Sequence, residues 1–71
     1  MEVQAEMVAN VWKVVVEPGQ QVGEGEALVI LESMKMEIPV ESPTSGTVKE
    51  IRVAEGAVVQ EGDVIAVVED P

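Results

Sequence analysis

The chain has 71 residues, a formal net charge of −10, and neither cysteine nor histidine. It is therefore one small domain near the lower size limit for folding alone, with no disulfide to help and only scattered carboxylates as metal donors. So negative a charge, with a sequence pI near 4.1, argues against nucleic acid and anionic membrane as partners, and no apolar run approaches the roughly 18 residues of a membrane span.

Hydrophobic residues make up 46% of the chain and aromatic ones 1%, so the core has to be aliphatic. Valine is prominent, which favours strands. Met1-Glu2-Val3-Gln4 has neither a basic nor an apolar leader region, so no secretory signal is expected and a cytoplasmic location fits best.

In chain order, Val3-Gln4-Ala5 alternates weakly and reads as a short first strand. Val11 to Val16 is a clearer one, ended by the turn Glu17-Pro18-Gly19-Gln20. Val22 stands between that turn and a second, Gly23-Glu24-Gly25-Glu26. The unbroken apolar run Ala27-Leu28-Val29-Ile30-Leu31 follows, then Glu32-Ser33-Met34-Lys35-Met36-Glu37, then Ile38-Pro39-Val40. Two strand-like segments with no room for a long loop predict a tight hairpin with Met34 and Lys35 at its centre. Two-residue hairpin turns need positive φ and normally use Asn-Gly, Asp-Gly or another glycine pair. Neither central residue here is glycine. Each would cost about 1–2 kcal/mol, a strain that calls for a reason beyond folding, and Lys35 at the tip is the candidate. Pro39 cannot donate to a ladder, which places the return strand at a sheet edge or a bulge. Ser42 to Gly46 reads as a loop and Thr47 to Val53 as a strand.

The second half repeats the first. A shift of 37 positions lays Val11 on Val48, Val16 on Val53, Gly19 on Gly56, Val22 on Val59, Gly25 on Gly62 and Glu32 on Glu69, while Leu28 meets Ile65. Two copies are too few for a solenoid, so a closed pair related by a pseudo-twofold axis is expected, built of short strands and glycine turns. The paired glycines are turn residues expected at positive φ. Val11, Val14 and Val16 align with Val48, Ile51 and Val53, which breaks strict alternation. A β-bulge near Lys13 and Lys49 would restore one inner face. The same alignment pairs Trp12 with Lys49 and predicts that Trp12 is partly exposed, although a lone aromatic is usually recruited to a core.

Glu32-Ser33-Met34-Lys35-Met36-Glu37, followed by Pro43, Gly46 and Val48, closely resembles the attachment site of biotinyl domains. These include biotin carboxyl carrier proteins and the short stand-alone biotin/lipoyl attachment proteins. The resemblance spans nearly the whole chain, read as one biotinyl domain over residues 1–71. It implies an all-β fold, a flattened eight-stranded barrel of two four-stranded antiparallel sheets with quasi-twofold symmetry. It also implies a non-catalytic carrier whose Lys35 receives biotin, as an amide, from a biotin protein ligase that uses biotinyl-adenylate. Met34 and Met36 match the flanking methionines, and Glu32 and Glu37 the neighbouring acids that aid ligase recognition. Carboxybiotin on Lys35 would then pass between biotin carboxylase and carboxyltransferase sites. Ser33 stands where the family often has alanine. Nothing is inserted between the first glycine turn and the hairpin strand, so no protruding thumb is expected.

Two other readings differ in class. Lipoyl carriers of 2-oxo acid dehydrogenase-type complexes share the fold, but usually place Asp before the lysine and a small residue after it, unlike Met34 and Met36. A lipoyl-like interaction module would have lost the turn lysine, and this chain keeps it. Of the three lysines, Lys13 and Lys49 fall in strand-like segments, leaving Lys35 as the one on an exposed turn.

Overall fold

The structure is a computed structural model that describes residues 1–70. It holds eight strands: β1 (Glu2–Gln4), β2 (Ala9–Val14), β3 (Gln21–Val22), β4 (Ala27–Ser33), β5 (Met36–Glu41), β6 (Gly46–Ile51), β7 (Val58–Val59) and β8 (Val64–Glu69). They form two antiparallel four-stranded sheets, ordered β1-β8-β6-β3 and β5-β4-β2-β7. The sheets face each other as a flattened barrel of 35 × 17 × 17 Å. The expected all-β architecture is the one found, and the step from β3 to β4 is a single tight turn with no thumb.

The sequence repeat is a structural one. Leu28 and Ile65, Val11 and Val48, Val22 and Val59, and Leu31 and Val68 are pairs 37 apart, and all eight side chains are buried in one aliphatic core. The turns repeat too. In each, the amide of the fourth residue meets the carbonyl of the first, as in Gln20 N to Glu17 O at 3.1 Å and Ala57 N to Ala54 O at 3.1 Å. Their third residues, Gly19 and Gly56, have φ of 91° and 90°, and Gly25 and Gly62 have 86° and 91°. A type II turn demands positive φ at that position, which is why glycine recurs there.

Closure comes from bonds between the halves. Gly19 N donates to Val48 O at 2.7 Å and Val48 N to Gln20 O at 2.8 Å, while Gly56 N donates to Val11 O at 2.8 Å and Val11 N to Ala57 O at 2.8 Å. Each half's turn is therefore tied to the other half's strand.

The bulges lie where the broken alternation requires them. In β2 against β4 the register passes from Val11 to Lys13, skipping Trp12, and in β6 against β8 it passes from Val48 to Glu50, skipping Lys49. Trp12 and Lys49 are thus equivalent bulge residues, one position from the expected Lys13 in the first half. The bulge turns Trp12 outward and leaves it 43% exposed. Strand boundaries differ from the sequence reading. β2 starts at Ala9 and its ladder stops at Val14, although Val15 N still reaches Leu28 O at 3.0 Å before the Pro18 turn. β6 likewise ends at Ile51 rather than Val53. Pro39 lies opposite Ile30 on β5, an edge strand, where its missing donor faces no neighbour.

Gly46 answers to contact rather than to φ. A Cβ there would lie 2.9 Å from the Glu69 carbonyl carbon and closer still to its oxygen, so β6 and β8 could not keep their spacing. Urea unfolding should show Gly46→Ala losing about 1–3 kcal/mol to overpacking. Gly25→Ala, which meets nothing within 4 Å, should lose about 1–2 kcal/mol to φ strain alone. An unchanged midpoint for Gly46→Ala would contradict the close approach of β6 to Glu69.

Candidate functional site

The β4–β5 hairpin is the longest pairing in the molecule, running from Ala27↔Glu41 through Ile30↔Pro39, Leu31↔Ile38 and Glu32↔Glu37 to Ser33↔Met36. The last pair leaves Met34 and Lys35 alone as the turn. Their φ angles are 52° and 68°, and they are the non-glycine residues at positive φ among those described. Positive φ at both central positions is the requirement of a type I′ turn, which matches the right-handed twist of the strands it joins. The chain meets that requirement with residues poorly suited to it.

The turn is fully presented to solvent. Met34 is 89% exposed and Met36 59%, Lys35 is exposed, and Lys35 has no salt bridge among the described residues. Two surface grooves lie elsewhere. The larger, about 850 Å³, runs between β1 and β5 past Val3, Ile38 and Val40 and is not lined by Met34, Lys35 or Met36. The site is a protrusion, suited to carrying a group covalently rather than to enclosing one.

Glu32 and Glu37 face each other across the ladder, and both are exposed. Like charges directly opposite are destabilising, so this pair, like the turn, is retained against local stability. Counting outward from a two-residue turn makes the pairing readable in the sequence. Lys13 and Lys49 are in strands, as expected; Lys49 pairs with Glu69 at 3.2 Å and Lys13 sits 5.5 Å over the Trp12 ring.

The tip is remote from Asp70, the last residue described. Thr44, just beyond the base of the hairpin, donates from Oγ1 to Asp70 Oδ1 at 3.2 Å, whereas the tip is about 20 Å further along the strands at some 3.3 Å per residue. Met1 is likewise held against β8, its amino group donating to Val68 O at 2.6 Å.

The family profile described as biotin-requiring enzyme matches residues 2–68. The chain belongs to this biotin/lipoyl family. It is 54% identical over 67 residues to the biotinylated protein TB7.3 homolog of Mycobacterium leprae, covering 94% of each chain. It is 51% identical over 65 residues to the biotin/lipoyl attachment protein of Bacillus subtilis, covering 92% of this chain and 89% of that one. Similarity extends into much longer proteins. Pyruvate carboxylase of B. subtilis is 43% identical over 65 residues, which is 6% of its length. Among solved structures, the urea carboxylase of Kluyveromyces lactis superposes with a TM-score of 0.92 at 33% identity, over 97% of this chain and 6% of that one. Biotin/lipoyl membership and the barrel agree, and the chain is a biotin-requiring carrier domain related to those of carboxylases.

Replacing the turn by the residues its geometry prefers, Met34→Asn with Lys35→Gly, should raise the unfolding free energy by about 1–3 kcal/mol. Equilibrium denaturation reads this directly; a variant no more stable than the parent would mean that the turn stores no strain.

Proposed function

We propose that Lys35 is the residue that carries biotin, joined by a biotin protein ligase, and that the domain of residues 1–71 then presents it to a biotin carboxylase and a carboxyltransferase. The observation that carries this reading is the exposed turn in which Met34 and Lys35 are both held at positive φ. A hairpin selected for stability alone would use Asn-Gly there.

The chemistry asked of the chain is slight. A lysine amine is an ammonium at neutral pH and must lose a proton before it can attack. The chain has no histidine, and the base is assigned to the ligase. Lys35 Nζ then attacks the acyl carbon of the biotinyl-adenylate. An amide bond forms, the acyl–phosphate bond breaks and AMP leaves. The lost ammonium takes the formal net charge from −10 to about −11. Biotin, once attached, supplies a ring nitrogen that accepts and releases a carboxyl group. The domain itself supplies tethering: a fixed platform keeps the arm at high effective concentration near each partner site. No residue of the domain is assigned a catalytic role. Glu32 and Glu37 frame the turn as an acidic feature for the ligase to recognise.

Biotin is favoured over lipoate by Met34 and Met36 on either side of Lys35, and by relatives whose names record biotin. Coexpression with a biotin ligase should give an intact mass increased by one biotinyl group and a streptavidin-positive band. Both should vanish in Lys35→Ala and persist in Lys13→Ala and Lys49→Ala. A lipoyl-sized increment, or biotin retained without Lys35, would overturn the assignment.

A further inference from the structure

The quasi-twofold axis provides an internal control for the surface. Residues 37 apart occupy equivalent backbone positions with matching hydrogen bonds and matching core burial, so folding places the same demand on both. In the core they agree; on the outer faces they do not. Trp12 and Val15 are each 43% exposed, and Val8 and Val58 each 63%. Their equivalents are Lys49, Arg52, Ser45 and Gln21, also exposed. Each apolar member of these pairs lies on, or next to, the sheet that carries the Lys35 hairpin, and each polar member on, or next to, the other sheet.

Val8, Val58 and Trp12 also lie beside the strand that leads into the turn. Val58 lies opposite Asn10, and Asn10 opposite Glu32. Asn10 is thus level with the residue two before Met34, Val8 lies nearer the turn than Asn10, and Trp12 further from it. With Met34 and Met36, these residues account for every exposed large hydrophobic side chain described except Met1. Exposed apolar surface collected on one face marks a contact surface.

We propose that this outer face is the surface on which the ligase that acylates Lys35 docks, a reading that rests on Lys35 being the modified residue. The place of the reaction selects that partner. The reacting atom is Lys35 Nζ itself, so its enzyme has to close on the turn and on what borders it. An enzyme acting on the attached group meets it at the end of a longer arm. Charge adds a second feature to the face. Lys49 and Arg52, on or next to the other sheet, are paired with Glu69 and Glu50, whereas Lys13 sits over the Trp12 ring and has no salt bridge among the described residues. The complementary surface is therefore an apolar patch that receives Trp12, with a carboxylate placed for Lys13. A second copy of the chain fits poorly, since it would bring a further −10 of charge against the first.

The test transplants the second half's residues onto the first: Val8→Ser, Trp12→Lys and Val58→Gln together, each a residue the fold already accepts at the equivalent position. Initial rates of biotin transfer by a purified bacterial biotin protein ligase are measured against carrier concentration. The transplant should raise KM about tenfold or more with kcat little changed, as loss of a tryptophan anchor does. The mirror variant, Gln21→Val with Ser45→Val and Lys49→Trp, should leave KM unmoved. An unchanged KM in the transplant, or an equal rise in the mirror variant, overturns the docking face. Should the transplant melt below the assay temperature, fluorotryptophan at the single Trp12 of the wild-type chain replaces it. Its fluorine resonance should shift or broaden saturably on titration with unlabelled ligase, and an unmoved signal overturns the proposal. So does a dimer in sedimentation that Trp12→Lys abolishes. Wild-type chain that takes up no biotin overturns the carrier reading and the docking face with it, whereas a biotinylated wild type with KM unmoved in the transplant overturns the docking face alone.

Discussion

Closure of one half upon the other is the constraint on which this domain depends. The Gly19 and Gly56 amides reach the Val48 and Val11 carbonyls across the quasi-twofold axis, so each half's turn finds its partner only in the opposite half. A chain of 71 residues without cysteine has no disulfide with which to offset the entropy of ordering so short a sequence. It relies on reciprocal backbone bonding around a wholly aliphatic core, and among the described residues no buried side-chain polar atom is left without a partner. Ser42, the buried polar side chain, donates to Thr44 O at 2.6 Å.

That rigidity is what allows local preference to be overridden at the tip. Two non-glycine residues at positive φ and two facing glutamates each cost a small amount, and a marginally stable domain holds such features only where the surroundings over-determine them. Here the six-pair ladder from Ala27↔Glu41 to Ser33↔Met36 does so. On the outer face bordering the Lys35 turn the two halves differ in residue type, and turn and face belong to the same sheet.

The sequence made legible those features that rest on residue type and spacing. The hairpin follows from two apolar runs too close together for a loop. The twofold core follows from valines and glycines 37 apart, and the edge position of β5 from Pro39. The exposed turn lysine follows from the same arithmetic. Less was readable where one residue type serves opposite ends. Val11 is 1% exposed and Val8 63%, yet both are valines a few positions apart, and only the sheet geometry separates core from surface. β2 and β6 end two residues short of Val16 and Val53, because the apolar pattern and the burial of Val16 run on past the last ladder pair. The need for glycine at position 46 depends on Glu69, 23 positions away in sequence, and no local pattern announces it.

A longer, glycine-rich loop would remove the strain at Met34 and Lys35, and the reason it is absent lies in what a tethered carrier needs. If Lys35 bears the acyl group, as proposed, the volume the group explores sets its effective concentration at a partner site. With Ser33↔Met36 paired right up to the turn, backbone freedom ends at Lys35 and only its side chain moves. Each added loop residue would enlarge that volume and dilute the group. It would also remove what distinguishes this lysine from Lys13 and Lys49, a fixed direction away from the barrel. Strain in the turn and shortness of the tether are therefore one property: the two-residue turn is disfavoured for these side chains, and it is the shortest antiparallel connection that can hold a lysine at the end of a sheet.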